Sequence, residues 1–169
     1  MENEISLKPF TDDDLEIFIK WLDQPYIYQW FCEDGEEEKT AWLAEIRGRH
    51  NEYHYMEHFI VYHNEKKIGF CLYLDLYFEP DYVEEREYEI DRAKNAAYEI
   101  AYFIGEKDFL QKGIGTIIVK KLEEKIMAVG GKDIFADPDE ANIPSINTLL
   151  KNGFVKVKNG IYRKSIVGG

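Results

Sequence analysis

The stretch that most restricts how this chain can fold is YEIAYFIGEKDFLQKGIGTIIVKK, residues 98–121. Residues 100–104 are an apolar run with strand character and a short polar loop follows. After the turn Gly113-Ile114-Gly115-Thr116 the spacing predicts an amphipathic helix over about 117–127. A strand, a glycine turn and a helix in that order make a cradle for an anion. The glycines let the backbone come close, and the free N–H groups that open the helix point at the bound group with the positive end of the dipole behind them. The expected ligand is a phosphorylated cofactor. Spacing argues against two common kinds. A Walker loop needs Lys-Ser/Thr directly after its second glycine, where this chain has Thr116-Ile117. A dinucleotide fingerprint needs a third glycine where position 118 is Ile. By itself a glycine pair before a helix also fits an ordinary turn, so the rest of the chain has to decide.

Periodicity lays out that remainder. Residues 5–9 read as a first strand, and Thr11-Asp12-Asp13-Asp14 caps a helix running to about Leu22, with acids in the first turn as the dipole favours. A second helical stretch starts near Pro25, and residues 36–47 form another with Trp42, Leu43 and Ile46 on one face. Residues 59–62 and 68–78 flank the turn Asn64-Glu65-Lys66-Lys67 as a hairpin. Its second arm alternates, Leu72, Leu74 and Leu76 on one face and Tyr73, Asp75 and Tyr77 on the other. Residues 79–95 read as a polar, charged connection. Downstream, Asp133-Ile134-Phe135-Ala136-Asp137-Pro138 is a buried strand that ends at Pro138. Asn142-Ile143-Pro144-Ser145 opens a helix that closes at Lys151-Asn152-Gly153-Phe154, Gly153 being the left-handed cap. Residues 154–157 and 161–166 predict a closing hairpin turned at Asn159-Gly160.

A chain of 169 residues with 45% hydrophobic content suits one domain, 1–169, with an ordinary core. Its net charge of −12 argues against nucleic acid or an anionic membrane as partner and favours cationic ligands by steering. No run is long enough to span a bilayer and no signal peptide is evident, so a cytoplasmic location is expected. Cys32 and Cys71 are too few for a disulfide framework and read as small core residues. His50, His54 and His58 share a helical spacing that superficially suggests a metal, but no Cys or Asp joins them at suitable spacing and none is expected. Nothing decides between a monomer and a homodimer.

The loop resembles the pyrophosphate loop of the GNAT acetyltransferase superfamily. The superfamily pattern Gln/Arg-x-x-Gly-x-Gly/Ala falls on Leu110, Gln111, Lys112, Gly113, Ile114 and Gly115, with Leu110 departing at the first position. The order of strand, Asp137-Pro138, Asn142-x-x-Ser145-Ile146, helix and Lys151-x-Gly153-Phe154 is similar to the last third of these enzymes, in particular the aminoglycoside 6′-N-acetyltransferases of antibiotic resistance. Trp21-Leu22-x-x-Pro25-x-Ile27-x-x-Trp30 resembles the opening of that group. The resemblance implies an α/β GNAT fold, a mixed central sheet flanked by helices, with acetyl-CoA in the cleft between splayed strands. It implies cofactor contacts from Phe103 and Ile104 on the strand, from Gln111, Lys112, Gly113, Ile114, Gly115 and Thr116 in the loop, and from Asn142 and Ser145.

Transfer to an amine needs a base, because a primary ammonium is mostly protonated at neutral pH. Along the strand, Glu99 shares a face with Ala101 and Phe103, and a charge there costs free energy unless it is paired or used. A solvent-facing edge position or an ion pair with Arg86 or Lys94 accounts for it structurally; in some members of the family the general base is a Glu at this distance before the loop. Asp137 matches an acid of the aminoglycoside group that holds or deprotonates the amine, and it also fits an Asx turn before Pro138. Two positions depart: Ala101 stands where that group commonly has Asp, and Leu149 where many members have a Tyr acid. In the family the first helices and the segment before the strand form the acceptor cleft. That places Tyr28, Trp30, Glu36, Glu37, Asp75 and Tyr77 at a cationic acceptor, aminoglycoside-like or polyamine-like. Tyr26 and Tyr82 are further aromatics for such a cation. Alternatives are a protein N-terminal acetyltransferase of the ribosomal-protein type and a non-catalytic acyl-CoA-binding module.

Overall fold

Alternation and capping carry through into the computed structural model, which describes residues 1–158 and 160–166. Among the described residues, the strands β1 (Ile5–Pro9), β2 (Met56–His63), β3 (Lys66–Asp75), β4 (Ala97–Ile104), β5 (Asp133–Ala136), β6 (Val155–Lys158) and β7 (Ile161–Ser165) form one mixed sheet in the order β1-β2-β3-β4-β5-β7-β6. The helices are α1 (Leu15–Leu22), α2 (Pro25–Phe31), α3 (Glu36–Arg47), α4 (Pro80–Glu85), α5 (Ile114–Ala128) and α6 (Ile143–Lys151). β4 and β5 are parallel, paired over Ala97–Glu99 and Asp133–Phe135, while β4 itself runs on to Ile104. β7 is antiparallel to both β5 and β6. No helix among the described residues is long and apolar enough to cross a membrane.

The chain divides into two compact units. The first takes Met1–Leu72 and Tyr102–Ile118. Thr11 and Asp14 form the reciprocal cap that starts α1: the Thr11 N–H and hydroxyl donate to Asp14 Oδ2 at 2.9 and 3.1 Å. Lys67 holds the other Asp14 oxygen at 2.6 Å. α1 turns Phe18, Trp21 and Leu22 into a core where Phe18 meets the Phe70 ring at 4.7 Å and Phe103 at 5.9 Å. Each such ring contributes roughly 1.5–3 kcal/mol by burial. Gly105 is required by close approach, since a Cβ there would lie 2.3 Å from the Trp21 indole. Cys32 and Cys71 are both buried as free thiols.

Several boundaries differ from the expectations. The hairpin turn is only Asn64-Glu65, with Asn64 left-handed at φ 53°, so both arms reach closer to the turn than 62 and 68. His50, His54 and His58 do not share a helix: residues 48–55 are turns and His58 is buried in β2 with neither ring nitrogen hydrogen-bonded among the described residues. Burial pushes its imidazole down to about 4, helped by the charge of Arg49. α5 begins at Ile114, not near 117, so Gly115 lies inside its first turn.

The second unit takes Tyr73–Ala101 and the chain from Val119 onward. β3 stops at Asp75, short of Phe78, because the buried Asp75 carboxylate accepts from the N–H of Tyr77 at 3.0 Å and of Asn95 at 2.9 Å, curling residues 76–78 into a 3-10 turn. The alternation into Leu76 and Tyr77 therefore ends where that carboxylate is consumed. The supposed polar connection holds α4, opened by Pro80, whose fixed φ suits a first helical turn. Val83 and Tyr88 from this segment join Leu76, Ala97, Phe135 and Ile161 in one buried cluster. α6 is capped as expected, the Asn142 side chain accepting from Ser145 N at 3.4 Å, and Gly153 is left-handed at φ 86°. β6 and β7 form the closing hairpin; of its turn, Gly160 is left-handed and Asn159 lies outside the described residues.

Candidate active site

β4 carries Glu99 into the interior of the sheet, between β3 and β5, so the edge position is not what this strand offers. The residue is 9% exposed. Two phenols donate to the same oxygen, Glu99 Oε1: Tyr88 at 2.7 Å and Tyr82 at 2.9 Å. No hydrogen bond reaches Oε2 among the described residues. Arg86 does not pair with Glu99; its Nη1 lies 2.6 Å from Asp137 Oδ2, and the same Oδ2 is 3.4 Å from the Tyr82 hydroxyl. Glu99 and Asp137 are thus brought together through one phenol.

Electrostatics follow from that geometry. Burial pushes the Glu99 carboxyl up to about 8, the Asp137 charge adds to it, and the bonds from Tyr88 and Tyr82 and the Arg86 guanidinium oppose it. Burial raises Asp137 as well, opposed by Arg86 and Tyr82. Burial and the Glu99 charge drive Tyr82 and Tyr88 far above the usual phenol range, so both remain donors. A carboxyl poised near neutrality, with one oxygen held by donors and the other without one among the described residues, is suited to take a proton.

Tyr82 and Tyr88 are the residues that sequence reasoning did not gather around Glu99, while Arg86, expected as its ion-pair partner, pairs with Asp137 instead. The available signal was Pro80 followed by Tyr82-Val83, a helix start with an apolar pair inside a charged stretch.

The glycine loop lies in the other unit, and its geometry is that of its backbone. Gln111 and Gly113 are left-handed at φ 60° and 76°, Gln111, Lys112 and Gly113 are exposed, and a Cβ on Gly113 would meet nothing within 4 Å. At the opening of α5, Ile117 N donates to the Gly113 carbonyl at 3.4 Å. Left-handed turns beside open space before a helix of 15 residues fit a diphosphate. Ile114 and Gly115 are buried and Thr116 half-buried. On β4, Phe103 is buried among aromatic rings and the Ile104 carbonyl accepts from the Tyr26 hydroxyl at 2.9 Å. In the second unit, Asn142 and Ser145 form the α6 cap.

The expected acceptor residues are divided between the two units. In the first unit Tyr28 donates to Glu36 at 2.7 Å, tying α2 to α3, while Glu37 is exposed and Trp30 half-buried. Lys39 is held by Asp23. In the second unit Asp75 is occupied by backbone N–H groups, and Tyr77 is exposed beneath Lys94, 5.9 Å from the ring centroid. Among the described residues no group of three His, Cys, Asp or Glu side chains is arranged to hold a metal ion.

Comparison with known proteins adds the family. Residues 11–161 match the model of the acetyltransferase (GNAT) domain. The fold is similar to that of aminoglycoside acetyltransferase AAC(6')-Ib solved with coenzyme A and kanamycin, at TM-score 0.76 and 20% identity, over 96% of this chain and 95% of that one. An aminoglycoside N(6')-acetyltransferase of Legionella pneumophila gives 0.73 at 15%, over 96% and 92%. The ribosomal L7/L12 α-N-protein acetyltransferase RimL gives 0.68 at 14%, over 96% and 91%. At these identities the likeness is one of fold.

Proposed function

Since the chain belongs to the GNAT acetyltransferase family and is thus an acyltransferase using acetyl-CoA, we propose that it acetylates a primary amine of a small cationic acceptor, aminoglycoside-like or polyamine-like, with Glu99 as base. The reading takes residues 1–169 as one acetyltransferase domain. One observation carries it: Glu99 is buried, its Oε1 is held by two phenols, and its Oε2 accepts no hydrogen bond among the described residues. Acetyl-CoA, held by the amides of residues 113–116 and by Phe103 and Ile104, supplies the thioester that the amine attacks. Glu99 takes the ammonium proton, which frees the nitrogen lone pair. A base whose own proton affinity has been lifted towards that of the amine does this more readily than an ordinary carboxylate. Asp137, joined to Glu99 through Tyr82, orients the amine. Residue 149 is a buried Leu, whose side chain has no hydroxyl to protonate the departing thiolate. A thiolate leaves tolerably without such help.

Support for a cationic acceptor comes from the net charge of −12 and from the acids opening α3. It also comes from the solved enzymes of similar fold, which were crystallised with kanamycin or ribostamycin. The test is mass spectrometry of acetyl transfer from acetyl-CoA to a panel of aminoglycosides, polyamines and N-terminal peptides. Acetylated aminoglycoside or polyamine is the expected product. Acetylated peptide alone would move the assignment to protein N-termini, and CoA binding without transfer to any acceptor would make the chain a binding module.

A further inference from the structure

Tyr82 has one hydroxyl hydrogen and two carboxylates in reach, Glu99 Oε1 at 2.9 Å and Asp137 Oδ2 at 3.4 Å. A phenol donates one hydrogen bond, so the two acids compete for it. Arg86 decides the competition. Its Nη1 sits 2.6 Å from the same Asp137 Oδ2, and its guanidinium lies over the Tyr82 ring, 5.0 Å from the centroid. Asp137 is already neutralised and the hydrogen stays on Glu99. We propose that Tyr82 and Arg86 are positioning residues forming one device: Arg86, by pairing with Asp137, keeps the Tyr82 hydrogen on Glu99 and so preserves the negative charge that Glu99 uses as base.

This rests on the reading of Glu99 as base. The groups that face Glu99 are Tyr82 from α4, Arg86 and Tyr88 from the segment after it, and Asp137 from the end of β5. Arg86 is delivered by a built turn, not by a loose tail. Lys158 on β6 donates to the Arg86 carbonyl at 2.5 Å and the Glu87 carbonyl at 3.2 Å, and Glu87 is left-handed at φ 56°. Tyr88 is the internal contrast. It donates to Glu99 at 2.7 Å while its ring stacks on Phe135 at 4.6 Å, and no bond joins it to Asp137 among the described residues. Without Arg86, two changes act against ionised Glu99: Asp137 becomes an uncompensated neighbouring charge, and it draws the Tyr82 hydrogen away.

The experiment follows the titration of Glu99 by NMR of carbon-labelled glutamate in the intact protein, which needs no acceptor. Tyr82→Phe should raise the midpoint by about half to one pH unit, the worth of one hydrogen bond. Arg86→Gln should raise it further, and Arg86→Lys should restore most of the loss. The Tyr82→Phe/Arg86→Gln pair should shift less than the two singles combined, because no hydrogen remains to be redirected, whereas Tyr88→Phe/Arg86→Gln should add. With an acceptor in hand, kcat/KM on the acidic limb should drop about three- to tenfold with each single-bond loss. Additive Tyr82–Arg86 shifts, or an unmoved midpoint in Arg86→Gln, would reject the device; the second result decides even if Tyr82→Phe does not fold. Full turnover by Glu99→Gln would reject the base reading instead, whatever the midpoints do.

Discussion

The glycine loop and the carboxylate network are built on opposite principles. Gln111 to Gly115 are neighbours in sequence, and what they offer is backbone geometry: left-handed turns at Gln111 and Gly113 directly before α5. Glu99, Tyr82, Tyr88, Arg86 and Asp137 come from three separate segments, and their use lies in side chains that only the fold brings into contact. A site made of backbone would tolerate exchange of its side chains, such as Leu110 where the family pattern has Gln or Arg. A side-chain site does not, since each member sets the charge of the next.

That contrast can be broken by substitution. The largest effect belongs to Glu99→Gln, which keeps the shape and removes the proton acceptor. Turnover should drop about 10²–10⁴-fold with acetyl-CoA affinity intact, and the acidic limb of the pH–rate profile should vanish. Unchanged turnover would shift the base to Asp137. Next comes Gly113→Val. A β-branched residue at φ 76° costs about 1–2 kcal/mol or more, so thermal stabilisation by excess CoA should be largely lost while ATP and NAD stabilise neither protein. Equal stabilisation of both proteins would show that the loop does not cradle the diphosphate. Asp137→Asn should follow, with a severalfold rise in the Michaelis constant of the amine exceeding its effect on turnover; a purely turnover defect would place Asp137 in proton transfer.

Smaller effects sharpen the comparison. The Glu99 carboxyl is raised by folding from 4.5 to about 8, so the folded protein holds a proton that the unfolded chain releases across that interval, and stability falls as pH rises through it. Glu99→Gln removes this penalty. Its melting temperature should therefore exceed the parent's by a margin that widens from below pH 5 to above pH 8, and a constant margin would mean the carboxyl is not perturbed. Smallest is the neutralisation of Glu36, Glu37 and Glu38. Loss of steering should raise the amine's Michaelis constant by about threefold at low salt, less at high salt, and leave that of acetyl-CoA alone. Here Glu36 and Glu38 already serve Tyr28 and the Asp34 N–H, so part of any change would come from altered packing of α2 and α3.

Local signals were legible. The Thr11–Asp14 cap, the Asn142 cap, Gly153 and the strand around Glu99 stand in the sequence because each is decided within a few residues. The extent of β3 was not, because Asp75 ends it by bonding Asn95, 20 residues on. Neither was the setting of Glu99. Residues 79–95 are rich in charge, and only burial of Val83 and Tyr88 against Phe135 turns them into a helix and a pair of phenols aimed at one carboxyl. Arg86 was legible as a partner but for the wrong acid, since 2.6 Å to Asp137 is set by where β5 ends.

The tie from Lys158 to the Arg86 carbonyl spans 72 residues, and Ile161 of β7 sits in the same cluster as Val83 and Tyr88. Synthesis runs from the N-terminus, so Tyr82, Glu99 and Asp137 leave the ribosome before the strands that seal them. Until β6 and β7 follow, the Arg86 carbonyl lacks its Lys158 donor and the cluster around Tyr88 lacks Ile161. The turn that brings Arg86 to Asp137 is thus fastened only once the closing hairpin has formed, so order of synthesis makes this network late to assemble.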